Sequence, residues 1–276
     1  MGPTARGFRF LEHPALSILH ETVRERLAAL EHFPLPSELR ELTRGVPRAI
    51  APWFEFTPQQ QAELDAAGGF DRFIAKTSRI PTRVGSHHDL LGALIWLHFP
   101  ALKTAIHRAQ LAAEPGVRRA SENAATHLDE SGVLALSSEP SVFERLAGLH
   151  WTRVLWDERA ELRRTTRFLG FGHGLLDSLR DPHPKLMGKA LFVRVRPEHL
   201  TLSTSELRVV VDAELAPRLS TFLVDPTRLQ PLPVLGVPGW SAEQSRSFYE
   251  DTRYFRTTRQ RERPAGAAAF IDLAQA

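Results

Sequence analysis

The chain has 276 residues, 42% hydrophobic and 24% charged, with 35 Lys and Arg against 32 Asp and Glu for a formal net charge of +3. That balance is ordinary for a folded globular protein and excludes disordered and fibrous architectures. The absence of cysteine excludes a disulfide framework, a thiolate nucleophile and Cys-based zinc or iron–sulfur sites, and it fits a reducing cytosol.

Lysine occurs only at positions 76, 103, 185 and 189, so the basic residues are nearly all arginine. The pI of about 9.7 then reflects arginine's high pKa as much as an excess of positive charge. No apolar run has signal-peptide length or approaches the 18 residues of a membrane span. The expectation is a soluble, unexported, cytoplasmic protein with no membrane partner.

In chain order, Leu16, Leu19, Val23, Leu27 and Leu30 stand at helical spacing and predict one amphipathic helix over residues 14–32. Pro34 and Pro36 break it, and a short helix is expected over Ser37 to Leu42. Trp53, Phe54 and Phe56 form an aromatic group that covers the core. Thr57 and Pro58 read as the N-cap and first turn of a helix ended by Gly68 and Gly69, with one further turn from Phe70 to Lys76.

The stretch Ser78–Lys103 sets polar residues directly against an unusually apolar run. Ser86, followed three residues on by Asp89 and then by Leu90, Leu91, Leu94 and Ile95, predicts a capped helix beginning near His87. Pro100 stops or kinks it near Phe99 and opens a second helix carrying Lys103 and His107 one turn apart. His87, His88 and Asp89 then occupy a first turn, where unpaired N–H groups and the helix dipole favour anions. The plainer alternative is that Ser86 and Asp89 only cap the helix.

Beyond a break at Glu114, Pro115 and Gly116, the run ATHLDESGVLALSS reads as a hairpin with Asp129 and Glu130 in its turn, or projecting carboxylates toward the site. Pro140 opens a helix with Val142, Leu146 and Leu149 on one face, followed by arginines among acids from 153 to 167. RFLGFGHGLLDSLRD passes from strand to short helix, with His173 held at a turn between Gly172 and Gly174. Lys185 to Val195 ends in a strand, and a strand is favoured over a helix near Leu207 to Val211. Residues 231–240, PLPVLGVPGW, predict an ordered irregular loop packed by Leu235 and Trp240, a candidate lid. The tail from Ser241 holds Phe248, Tyr249, Tyr254 and Phe255, then basic residues through Arg263. There is no internal repeat, phosphate loop, G-x-S-x-G elbow or H-E-x-x-H pair.

Taken in order, IPTR, HHD, ALIWLHFPALK, LDESGVLALSS, FGHG and LPVLGVPGW resemble the bacterial family catalogued as domain of unknown function 3025, over roughly residues 45–260. The resemblance implies a soluble bacterial protein and assigns no activity. The family pattern has Asn three positions after the His–Asp pair and Ala after the His of the FGH motif; here those positions are Gly92 and Gly174.

These readings give an α+β chain, a mainly helical single domain with a small antiparallel sheet. It divides into an N-terminal helical segment over residues 1–44 packed on the core, a main domain over 45–240 and a C-terminal extension over 241–276. The functional expectation is a hydrolase-like enzyme with an acid–base site acting on an anionic small molecule. His88, Asp89 and His173 are its catalytic candidates, and Arg83, His87, Trp96, Lys103 and Asp129 its substrate-binding ones. No metal ligand set and no cofactor are assigned, because adjacent His87 and His88 point differently on a helix; a metal version would use two His and one or two Asp. The alternative is a nucleic-acid or polyanion-binding module using the arginines near 153–167 and 253–263, weakened by interleaved acids and the small net charge.

Overall fold

The computed structural model describes residues 8–111, 119–255 and 268–275. The expected break at Glu114 to Gly116 and the basic run from 256 to 263 lie outside the described residues. Two 3-10 turns, Arg9–Glu12 and Pro14–Ile18, precede α1 (Glu21–Ala29). The single helix expected over 14–32 is therefore split. His20 causes the break: its ring Nδ1 accepts from the Thr22 amide, and its own amide donates to Nε2 of buried His98 at 3.1 Å. The short helix α2 (Leu39–Leu42) follows as expected.

Strand β1 (Glu55–Pro58) pairs in parallel with β2 (Arg79–Thr82), and α3 (Gln61–Ala67) and α4 (Phe70–Thr77) lie between them in sequence. Thr57 and Pro58 thus end a strand rather than start a helix. The Gln59 amide still donates to the Thr82 carbonyl, which carries the extended pairing past the proline. Gly68 closes α3 at φ 86°, a left-handed position that suits glycine.

Ser86 accepts from the Asp89 amide and opens α5 (His87–His98). Pro100, with no N–H to give, opens α6 (Pro100–Leu111) at 112° to it. Then α7 (Ala120–Ser131) runs directly into β3 (Gly132–Ser137), every residue of which is buried. The expected hairpin is absent because Asp129, Glu130 and Ser131 complete a helical turn, which the Gly132 amide closes onto the Leu128 carbonyl.

Short 3-10 turns aside, the remaining elements are α8 (Pro140–Ala147), a π-helical turn Arg153–Asp157, α9 (Arg159–Thr165), β4 (Thr166–Gly170), α10 (His173–Ser178), β5 (Met187–Arg194), α11 (Thr204–Leu215), α12 (Leu219–Phe222), β6 (Gln230–Pro233), α13 (Arg246–Tyr249) and β7 (Ile271–Asp272). A strand was favoured where α11 stands. Ser203 and Glu206 form a capping box there, and Leu207, Val211 and Leu215 bury one face at helical spacing, which outweighs the β preference of the valines.

Strand order is β4-β3-β5-β6, with β7 beside β5. The β3/β4 and β5/β6 pairs are antiparallel, whereas β3/β5 and β5/β7 are parallel. The chain is thus a mainly helical α+β domain, but its sheet is mixed rather than antiparallel. The long crossover from β3 to β5 through helices is what permits parallel neighbours. Part of the 231–240 segment is strand β6, which tolerates Pro231 and Pro233 because it is an edge and pairs only with β5. Its continuation packs on the tail: a Cβ at Gly236 would come within 2.7 Å of the Phe255 ring. One continuous cluster of buried apolar side chains runs from Phe8 to Leu273. Among the described residues no helix is long and apolar enough to cross a membrane, and the bent pair α5–α6 is built into this cluster.

Candidate functional site

Three element ends meet: the start of α5, the end of α7 and the start of α10. Glycine makes the third approach feasible. The amides of Phe171 and Gly172 both donate to the Gly132 carbonyl, at 3.0 and 2.8 Å, and a Cβ at position 172 would lie 2.2 Å from the Gly132 nitrogen. His173, the first residue of α10, is thereby set against the last turn of α7. That turn has carbonyls with no helical partner. His173 Nδ1–H donates to one of them, the Asp129 oxygen, at 2.8 Å. The bond leaves the Nε2 lone pair outward, 3.5 Å from Glu130 Oε1.

His88, in the first turn of α5, meets His173 edge-on with ring centroids 4.5 Å apart. One ligand atom each from His88, Glu130 and His173 lie within 4.8 Å of one another. Gly92 and Gly174 border this group. A Cβ at Gly92 would touch His173 Cδ2 at 3.4 Å, and one at Gly174 would come within 2.5 Å of Glu130 Oε2.

The charges around the trio are paired. Lys103, on α6 and only 4% exposed, forms an ion pair with Asp129, and its ammonium lies 5.0 Å from the centre of the Trp96 ring. Burial pushes the Asp129 carboxyl up, but Lys103, aided by His173, outweighs it and holds the group below the usual carboxylate range. Burial likewise holds the His173 imidazole below its ordinary value, opposed by Asp129. Asp89 grips Arg83 from the amide (2.7 Å), Nε (3.0 Å) and Nη2 (2.7 Å), and also accepts from the Ser86 hydroxyl. Desolvation raises the Asp89 carboxyl, yet these bonds bring it below its ordinary value.

Arg83, His88, Asp89, Trp96, Lys103, Asp129 and His173 all line one cleft of about 460 Å³. Of the residues singled out from sequence, His87 alone is not brought there. It turns the other way on the helix and packs edge-on against Phe10 and Phe33, with centroids 5.6 and 5.2 Å away. Asp89 reaches the cleft with both oxygens engaged by Arg83 and Ser86, so it orients the guanidinium. The group given least weight, Glu130, lies at the centre. A helical reading of LDES would have put it one residue past Asp129 on an adjoining face, a signal that the hairpin reading concealed. The 231–240 segment contributes nothing to the lining of this cleft. Asp177, one turn along α10 from His173, stands 4.0 Å from His88 Nδ1.

The arginines considered for polyanion binding are largely occupied where described. Arg153 pairs with Glu158, Arg164 with Glu161 and Arg253 with Asp251, while Arg159 lies over Trp156. Neither the curated proteins nor the solved structures contain a match to the chain. The family model described as "Protein of unknown function (DUF3025)" does match, over residues 54–259, a span that includes every residue of the cleft, and the chain belongs to that family.

Proposed function

We propose that the chain is a hydrolase-like enzyme that activates water at the His88–Glu130–His173 cluster and acts on an anionic substrate oriented by Arg83. The observation that carries this reading is the hydrogen bond from His173 Nδ1–H to the Asp129 carbonyl, which fixes the tautomer whose Nε2 lone pair meets Glu130 in the cleft. Burial holds this imidazole below its ordinary value and so favours the neutral form, whose Nε2 can accept a proton from water. Arg83 supports the substrate assignment: its side chain is 58% exposed, yet two guanidinium bonds to Asp89 hold it and a third, from its own amide, fixes the backbone beneath, so a planar cation is presented with little freedom left to lose.

Lys103 and Asp129 act as positioning residues on this reading. Their mutual pairing leaves neither free to meet substrate, and together they fix the electrostatic setting of His173. Trp96 braces the ammonium from below. The enzyme would work in a bacterial cytoplasm, with which the cysteine-free composition agrees.

The test is a screen of the purified chain against phosphate esters, carboxylic esters and amides with acidic groups, repeated for His173→Gln and Glu130→Gln. Turnover should fall by roughly 10²–10⁴ in each variant with little change in melting temperature. Turnover that survives both substitutions, in folded protein, would remove the assignment.

A further inference from the structure

The geometry points to a divalent transition-metal site made by His88, Glu130 and His173, with Zn²⁺ as its representative ion. The inference rests on the reading of this cleft as an active site and names the group that makes it work. Two imidazoles and one carboxylate, carried on three different element ends, form a donor set of the type that holds zinc with an open position for water. The intermediate softness of imidazole favours such an ion over Mg²⁺ or Ca²⁺, which take all-oxygen sets.

Three further features fit the assignment. His173 already spends its Nδ1 proton on the Asp129 carbonyl, the arrangement that aims Nε2 at an ion and fixes its tautomer. Asp177, 4.0 Å from His88 Nδ1, is placed to do the same for the second imidazole. The third is the charge of the lining. Asp71, which accepts from His107 Nδ1 at 3.2 Å, lines the cleft with Asp89, Asp129 and Glu130 against Arg83 and Lys103, a formal charge of two negatives when the histidines are neutral. Such a lining attracts a dication, whose arrival brings it to neutrality and removes the repulsion that an anionic substrate would otherwise meet.

The fit requires a small closure. Donors about 2.1 Å from a common tetrahedral centre stand about 3.4 Å apart, whereas these atoms span up to 4.8 Å. His88 and Glu130, with side chains 36% and 46% exposed, have the freedom to move in, while His173 at 12% serves as the fixed point.

The experiment is titration of the chelator-stripped full chain with Zn²⁺ by calorimetry, and with Co²⁺ followed by its visible absorption. One equivalent should bind. His88→Ala and Glu130→Gln should each weaken Zn²⁺ binding about a hundredfold, while Mg²⁺ and Ca²⁺ fail to compete. Glu130→Gln replaces a half-exposed carboxylate with its isostere, so it reports on binding with the fold intact. Failure of the wild type to bind Zn²⁺ or Co²⁺ stoichiometrically, or affinity unchanged in both variants, overturns the site. Turnover by metal-stripped protein overturns it too and leaves the imidazole chemistry standing. Residue-dependent binding with no turnover against any substrate establishes the metal site and removes the hydrolase reading instead.

Discussion

His173 and Asp129 are joined twice: the ring Nδ1–H donates to the Asp129 main-chain oxygen at 2.8 Å, and the same nitrogen lies 3.8 Å from the Asp129 carboxylate. The backbone bond orients the imidazole whatever the state of the carboxylate. The side chain of Asp129, bound to Lys103, contributes charge. Orientation and electrostatics of one histidine are thus supplied by different atoms of one residue, and substitution can separate them.

Lys103→Met should therefore be costly to stability. It strands the Asp129 carboxylate with only 12% side-chain exposure, and removing one member of a buried pair costs about 3–5 kcal/mol. Lys103→Met combined with Asp129→Asn should recover much of that loss. Denaturant unfolding of the two singles and the double gives the coupling, and additive losses would show that the pair is not a unit.

Asp212 gives a pH signature remote from the cleft. Burial raises its carboxyl from 3.8 to about 6, although it accepts from the Leu102 and Ala101 amides. Below 3.8 both folded and unfolded states hold the proton, and this group's stability term is fully present. As pH rises through about 6 the unfolded state has already released its proton while the folded state lets go late, so stability is lost, on the order of 3 kcal/mol in all. The wild type should thus fall relative to Asp212→Asn between about pH 4 and 6. Parallel stability curves for the two proteins would contradict the shift.

Two glycine substitutions should have opposite signs. At Gly172 a Cβ would strike the Gly132 and Ser131 backbone nitrogens at 2.2 and 2.5 Å, so Gly172→Ala should destabilise by about 3 kcal/mol or more. At Gly92 the Cβ would meet His173 at an ordinary 3.4 Å in mid-helix, so Gly92→Ala should stabilise by about 0.5–1 kcal/mol. Thermal unfolding of both variants checks the pair.

The adjacent histidines should separate in the same way. His87→Ala removes a ring held among Phe8, Phe10 and Phe33 and should lower the melting temperature while leaving Zn²⁺ affinity intact. His88→Ala, taking away a half-exposed ring, should do the reverse. Equal loss of Zn²⁺ affinity in both would mean that His87 reaches the ion.

The local chemistry of the site was legible in the sequence because it rests on short-range signals. The Ser86/Asp89 cap, the Pro100 break and the Gly-flanked His173 are each settled within a turn of chain, and the structure repeats them. What could not be read there depends on distant partners. His20 splits a helix because its amide finds His98, 78 residues on. Thr57 and Pro58 are drawn into β1 by pairing with β2. Glu130 was obscured for a related reason: the turn-forming residues Asp129 to Ser131 suit a hairpin as well as a helix end, and only the packing of α7 against α10 selects the helix. At α11 the missed signal was local, a capping box hidden behind three valines.

The 112° corner between α5 and α6 has a consequence for the cleft itself. One arm of the corner delivers His88 and Asp89, the other Lys103. At the bend, Arg208 donates to the His98 carbonyl and Asp212 accepts from the Ala101 and Leu102 amides, so α11 bridges the two arms like a gusset. Two residues that never line the cleft thus tie together the two helices that supply its His88, Asp89 and Lys103.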